Sequence, residues 1–209
     1  MKMTKECIVD IMRSTSGNVY SVYTDWIRMC AITISNSVVW SQEMENDYMN
    51  IAKRYSKKEL GMFAEAFGIL QILMEEKYDD YLGSIYMMLE TGSKRTGQFF
   101  TPYHISKLLA QITGVKKEEK GRKIINEPSC GAGANIIAFL EKEKERGINY
   151  QEEYEIVAQD LDWNCVYMCY IQLSLYGAYG KVVQGDTLSD TKKENVLYTP
   201  MYMLQRGCA

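Results

Sequence analysis

Asn126–Asn135, which reads Asn-Glu-Pro-Ser-Cys-Gly-Ala-Gly-Ala-Asn, decides how the rest of the chain is understood. Ahead of it, Arg122–Asn126 (RKIIN) carries the β-branched pair Ile124 and Ile125, and behind it Ile136, Ile137, Phe139 and Leu140 recur at helical spacing. Strand, glycine turn and helix in that order form the opening unit of a doubly wound α/β sheet, where ligands sit at the carboxyl ends of the strands. Gly131 and Gly133 let a ligand approach the backbone and tolerate positive φ. A dinucleotide fingerprint needs a third glycine, and Ile136 stands where it would fall. The loop therefore suits a nucleoside cofactor without phosphates better than a pyrophosphate, and S-adenosylmethionine is the candidate. A lone Gly-x-Gly is more often structural than functional, so the case rests on its neighbours.

Length and composition set the frame. A chain of 209 residues is one domain, or one domain with a helical appendage. The net charge of −3 supplies no bulk attraction to nucleic acid, so any such contact must be local or lent by a partner. Six cysteines, at positions 7, 30, 130, 165, 169 and 208, show neither Cys-x-x-Cys nor zinc spacing. They read as reduced thiols of a cytoplasmic protein with no metal site. The first residues lead into no uninterrupted apolar run, so neither a secretory signal nor a membrane span is expected.

Residues 1–92 carry helical periodicity throughout, without proline, and Leu60, Phe63, Phe67, Leu70 and Met74 show it best. Helices are expected near 4–14, 20–36, 40–55, 58–77 and 79–91. Trp26, Trp40, the tyrosines and the pair Met87 and Met88 read as fillers of a helical core. Asp79, Asp80 and Glu90 are spaced like solvated helix positions and receive no chemistry.

Thr91–Gly97 breaks the helices, and Gly97–Pro102 (GQFFTP) follows. Thr101 then Pro102 reads as an N-capping hydroxyl and a first-turn proline, with Ile105, Leu108, Leu109 and Ile112 continuing an apolar face. Phe99 and Phe100 cannot both enter a core from an extended segment, because successive side chains alternate, so one is free to cover something. His104, the single histidine, suits a solvated or capping role. Val115–Lys123 is a polar linker. Further on, Tyr154–Gln159 and Lys181–Gln184 read as second and third strands, the first ending in Asp160-Leu161-Asp162 and the other in Gly185-Asp186-Thr187-Leu188. A carboxylate at the end of the second strand is placed to accept hydrogen bonds from ribose hydroxyls. The alternative for Asp160 is that it caps the following helix.

Gly97–Pro102 followed by Glu127-Pro128-x-Cys130-Gly131-x-Gly133 resembles the modification subunits of type I restriction-modification systems and related adenine-N6 DNA methyltransferases. In that family a phenylalanine-rich Phe-Thr-Pro segment and an Asp-Pro-x-Cys-Gly-x-Gly loop together enclose S-adenosylmethionine; this chain has Glu127 where the family usually has Asp. The resemblance implies a cofactor site drawn from Phe99, Phe100, Thr101, Pro102, Glu127, Pro128, Cys130, Gly131 and Gly133. It implies Asp160, with Asp162 next in line, for the ribose, and Asp186 for the amino group of the adenine. The fold implied is α/β, an S-adenosylmethionine-dependent methyltransferase (Rossmann-like) fold with a shortened sheet over 93–209 and an all-helical region over 1–92.

The family's transfer site needs an Asn/Asp-Pro-Pro-Phe/Tyr loop after a fourth strand, and no Pro-Pro occurs in this sequence. Val196–Tyr198 could supply that strand, ending in Thr199-Pro200-Met201-Tyr202, with Tyr198 or Tyr202 to stack on a base. By resemblance the sheet would run 3-2-1-4-5, and this chain supplies strands 3, 2 and 1 and a candidate 4. A sheet cut there exposes an edge that must be covered, by the helices together with self-association or a partner protein. Two functions stay open. One is methyl transfer to DNA with a partner replacing the missing loop; the other is a non-catalytic binding or assembly protein of the same fold, acting on a restriction-modification complex.

Overall fold

The computed structural model describes residues 3–90, 99–113, 121–189 and 195–207, with the side chain of residue 90 excepted. The expectations for Thr91–Gly97 and for most of the 115–123 linker lie outside the described residues. Five helices come first: α1 (Lys5–Ser14), α2 (Val19–Asn36), α3 (Gln42–Ala52), α4 (Lys57–Glu76) and α5 (Tyr81–Glu90). Their ends follow from local chemistry. Asn18 caps α2 by accepting from the Tyr20 and Ser21 amides, and Ser56 with Glu59 forms a reciprocal capping box on α4. The apolar stripes converge on Tyr23, Trp26, Ile27, Leu70 and Ile85, all at most 1% exposed. Trp40 departs from its expected core role: it falls in the turn before α3 and is 62% exposed.

Next comes α6 (Tyr103–Ile112), one residue later than expected. Pro102 itself is the N-cap, with φ −57° and ψ 135°, and its carbonyl accepts from the Ile105 and Ser106 amides. Thr101 is thus too far out for its hydroxyl to cap, and it makes no capping bond. The helix also docks by an unexpected face. Lys107 pairs with Glu141 at 2.9 Å, the Tyr103 hydroxyl donates to Glu141 at 2.8 Å, and Lys142 donates to the carbonyls of Ala110 and Thr113. These ties turn Ser106 and Ala110 inward and leave Leu108 59% and Ile112 72% exposed, with Ile105 and Leu109 beside them.

The sheet follows: β1 (Lys123–Glu127), α7 (Ala134–Glu145), the short α8 (Tyr150–Glu153), β2 (Tyr154–Asp160), α9 (Trp163–Leu175), β3 (Gly180–Gln184), β4 (Asn195–Tyr198) and α10 (Pro200–Gln205). β1, β2 and β3 are parallel neighbours, with Ile125 opposite Ile156 and Ile156 opposite Gly180. Both crossovers run the same way across the sheet, so their right-handedness puts α7 and α9 on one face. α9 is buried on two sides, with Val166, Met168, Cys169 and Tyr170 fully enclosed, because α2 and α5 cover its outer side. The Tyr23 hydroxyl shows the join, donating to the Leu82 carbonyl at 2.8 Å and lying 3.3 Å from the Met168 sulfur. One hydrophobic core therefore runs through the helical region and the sheet.

The fourth strand corrects the expected order. β4 lies antiparallel beside β3, with Val196 opposite Val183 and Tyr198 opposite Lys181, so the sheet reads β1-β2-β3-β4. No fourth strand stands beside β1, whose outer edge is unpaired among the described residues, and Ile124 is 68% exposed. β4 returns along β3, and the Thr199 hydroxyl anchors its end by donating to the Ala178 carbonyl at 2.7 Å and accepting from the Gly180 amide at 3.2 Å.

Candidate functional site

The glycine loop between β1 and α7 folds tightly. The Cys130 amide donates to the Gln159 carbonyl at 2.9 Å, which hangs the loop on the end of β2, and the Gly133 amide closes the turn onto the Cys130 carbonyl at 2.8 Å. Gly131 has φ +52° and Gly133, the N-cap of α7, has φ +99°, so both occupy the left-handed region that favours glycine. Space matters as much as torsion. A Cβ on Gly131 would stand 3.1 Å from Phe100 Cδ1, and one on Gly133 would stand 3.1 Å from Cys169 Sγ. Phe100 thus lies directly over the Gly131 backbone, with its ring 5.1 Å from that of Tyr86, while Phe99 is 85% exposed. The two phenylalanines divide as strand alternation requires.

Asp160, the last residue of β2, is held by two backbone donors: Gly131 N to Oδ2 at 2.9 Å and Asp162 N to Oδ1 at 3.0 Å. Each oxygen keeps a second lone pair for a ligand. The cap of α9 is Asp162, which accepts from Asn164 N at 2.8 Å, so the capping alternative for Asp160 falls to its neighbour. Asp160 and Phe100 both line a cavity of about 260 Å³, close to the lower end of small-ligand sites, roughly 300 Å³.

Of the residues singled out from sequence, Phe99, Phe100, Thr101, Cys130, Gly131 and Asp160 line this cavity. Pro102, Glu127, Pro128, Gly133, Asp162 and Asp186 do not border it. Glu127 lies toward a separate apolar groove along β1, where its Oε2 is 3.4 Å from Asn135 Nδ2. Asp186 is exposed and accepts from the Leu188 amide, but its turn is drawn to the loop, since the Thr187 hydroxyl donates to the Pro128 carbonyl at 2.6 Å. The tyrosines considered for base stacking are elsewhere. β4 runs back along β3, so Tyr198 and Tyr202, stacked at 4.8 Å, lie with Tyr179 at the amino end of the sheet, opposite the cavity.

Asp80 corrects the sequence reading most sharply. It is 3% exposed rather than solvated, and it lines the cavity. Its Oδ1 accepts from Gly83 N at 2.9 Å and from Gln172 Nε2 at 2.8 Å. The same Gln172 nitrogen donates to the Ala132 carbonyl at 2.8 Å, and the Gln172 oxygen accepts from Leu82 N at 3.2 Å. A fully buried amide on α9 thus pins the start of α5 to the glycine loop. Burial pushes the Asp80 carboxyl above its ordinary range, against the opposing pull of the Gln172 and Gly83 bonds. The Asp-x-x-Gly spacing of Asp80 and Gly83 was a legible N-cap signal; its depth was not. Ser129, Asn135 and Cys165 also line the cavity without having been anticipated.

The site's chemistry is that of an acceptor. Among the described residues two carboxylates border the cavity and no lysine or arginine does, while Asn135 Oδ1 is buried without a hydrogen-bond partner. A polyphosphate finds no cation there; a ligand rich in hydroxyl and amine donors finds acceptors. The thiols take no part as nucleophiles. Burial drives Cys165 up, assisted by Asp160 and Asp162, and a hydrogen bond to Cys130 followed by burial drives Cys169 up, so both stay protonated at neutral pH. Among the described residues no cluster of three or more His, Cys, Asp or Glu is placed to hold a metal ion, and no helix is long and apolar enough to cross a membrane.

Residues 77–203 match the model of a protein family described as N-6 DNA Methylase, which takes in the whole site and most of the chain. The chain belongs to the N-6 DNA methylase family. It is 31% identical over 123 residues to the type I restriction enzyme MjaIX methylase subunit of Methanocaldococcus jannaschii, a match covering 56% of this chain and 21% of that protein. It is 29% identical over 122 residues to the MpnII methylase subunit of Mycoplasma pneumoniae, with the same coverage. The type II restriction enzyme and methyltransferase RM.BcgI of Heyndrickxia coagulans matches at 27% over 103 residues, 48% of this chain and 15% of that one. This N-6 methylase homologue thus spans about a fifth of the length of the first two curated relatives. Among solved structures it is similar to the methyltransferase subunit of a type I restriction-modification system from Streptococcus thermophilus, at 12% identity and a TM-score of 0.47, covering 91% of this chain and 59% of that one. The fold is the α/β fold of S-adenosylmethionine-dependent methyltransferases with a short sheet, joined to N-terminal helices.

Proposed function

We propose that the cavity under Phe100 binds S-adenosylmethionine, and that the protein serves adenine-N6 methylation of DNA as one part of a larger assembly. The observation that carries the reading is the cavity's lining: acceptor side chains, an approachable glycine backbone, an aromatic cover and, among the described residues, no cation. Asp160 would take the ribose hydroxyls, Gly131 would admit the nucleoside against the backbone, and Phe100 would exclude water from above. Asp186, in the turn tied to Pro128, would accept from the adenine amino group, and Glu127, Pro128, Cys130 and Gly133 would shape the loop. Pro102 and Thr101 would set the height of the phenylalanine cover, and Asp162 would hold Asp160 in place through its backbone amide. S-adenosylmethionine brings an electrophilic methyl group on a sulfonium.

Transfer also needs a group to hold the target amine. This sequence has no Asn/Asp-Pro-Pro segment, and Thr199-Pro200-Met201-Tyr202 lies at the opposite end of the sheet from the cavity. A partner bringing that loop beside the open edge of β1 would complete an active site; Leu109, from the exposed aliphatic stripe of α6, borders the groove along that strand. The second reading, a non-catalytic protein that binds the methyl donor and acts on a restriction-modification complex, draws on the same placement of Thr199–Tyr202. Calorimetry with S-adenosylmethionine on the wild type and Asp160→Ala, followed by tritiated-methyl transfer to unmethylated DNA, separates the two. Micromolar binding lost in Asp160→Ala is expected, with transfer appearing only when a partner is added. Absence of binding to the wild type removes both readings.

A further inference from the structure

Asp80 has two carboxylate oxygens with different duties. Oδ1 receives both of the side chain's hydrogen bonds, from Gly83 N and Gln172 Nε2, and so serves the cap of α5 and the tie to the loop. Among the described residues Oδ2 takes none and no lysine or arginine lies within ion-pair distance of the carboxylate, Lys5 attracting it only from farther off. A carboxylate buried to 97% ordinarily has a cationic partner or several donors, because taking it from water is costly. Asn135, which lines the same cavity and also the groove along β1, has its Oδ1 buried without a hydrogen-bond partner. Neither is needed for the ribose, which Asp160 already faces. A buried carboxylate on the cavity wall, with one oxygen uncommitted and no ion pair, suits a compact group with several N–H donors and a positive charge.

We infer that Asp80, supplied by the N-terminal helical region, receives the α-ammonium group of S-adenosylmethionine, with Asn135 as the neighbouring acceptor. The inference rests on the proposed cofactor and adds a ligand from outside the sheet. It makes the helical region part of the binding site rather than a cover for it. Because Gln172 bridges Asp80 and the Ala132 carbonyl, the ammonium site and the glycine loop are held as one unit.

The test is a cycle of two proteins and two ligands, read by calorimetry: wild type and Asp80→Asn, each with S-adenosylhomocysteine and with its analogue lacking only the amino group. Asparagine keeps a side-chain oxygen to cap α5, and an unchanged urea midpoint checks its folding. Loss of a charged hydrogen bond is expected to weaken S-adenosylhomocysteine about 10- to 100-fold in Asp80→Asn. The deaminated analogue should bind both proteins alike, within about twofold, because the two deletions remove the same interaction. S-adenosylmethionine should lose as much as S-adenosylhomocysteine. Additive losses, or equal weakening of both ligands, would make Asp80 structural only; a loss confined to S-adenosylmethionine would assign it to the sulfonium and overturn the inference. Should Asp80→Asn fail to fold, equal affinity of the wild type for the two ligands would still refute it. Wild type that binds the deaminated analogue but gains nothing from the amino group leaves the cofactor reading standing; wild type that binds neither ligand removes both.

Discussion

Replacing Gln172 by leucine tests whether the helical region and the glycine loop are locked together. The residue is fully buried, and its amide satisfies three groups: Asp80 Oδ1, the Ala132 carbonyl and the Leu82 amide. Leucine fills nearly the same volume, so little cavity cost arises. Asp80 Oδ1 retains Gly83 N, but the Ala132 carbonyl and the Leu82 amide lose the partner recorded for them. An orphaned buried polar group costs about 1–3 kcal/mol, so the two together cost about 4 kcal/mol. With a urea slope near 2 kcal/mol/M, the unfolding midpoint should fall by about 2 M. Far-ultraviolet circular dichroism and tryptophan fluorescence should move together, since Trp26 and Trp163 lie on either side of the joint. A fall below about 0.5 M, under 1 kcal/mol on the same slope, would mean that the network is not a structural lock.

Two further outcomes follow from the geometry. Gly131→Ala forces a Cβ into the left-handed region at a cost of about 1–2 kcal/mol and pushes on Phe100 from 3.1 Å. Thermal unfolding should drop by several degrees, and S-adenosylmethionine affinity should fall further than stability alone accounts for; a variant with unchanged affinity would separate the phenylalanine cover from the ligand. Glu59 is held at about 2, first by the Ser56 hydroxyl and then by the Ser16 and Ser56 amides. Its folded value lies below the unfolded one near 4.5, so its contribution is present above pH 4.5 and is lost as pH falls through about 2. Glu59→Gln should flatten that part of the acid unfolding curve, and an identical acid limb would count against the capping box.

The alternation of strand, glycine turn and helix was readable because each element announces itself locally. Ile124 and Ile125, Val182 and Val183, and the helical repeat after Gly133 need no distant partner to be recognised. Asp80 was not readable, because its depth depends on Gln172, 92 residues away. β4 was foreseen as a strand but placed beside β1 instead of β3, since four residues carry no information about which neighbour they join. The stripe on α6 misled differently. Aliphatic spacing announced a buried face, but Lys107, Tyr103 and Lys142 dock the opposite face on α7, and the aliphatic side is left largely exposed, with Leu109 on the rim of the groove along β1. The cofactor-site residues divide along the same line: those in the loop and its cover meet at the cavity, whereas Glu127 and Asp186 stand back from it.

Among the described residues no lysine or arginine borders the cavity, and with the proposed cofactor this bears on selectivity against the most abundant adenosine compounds of a cell. ATP carries the same sugar and base as the proposed cofactor, yet brings negative charge where the charged side chains among the described lining residues are carboxylates. Like charges about 6 Å apart repel by about 3 kcal/mol at an effective dielectric constant near 20, enough to offset a hundredfold excess of the nucleotide. Discrimination between two adenosines would thus be made at the polar end of the molecule, before the base is inspected.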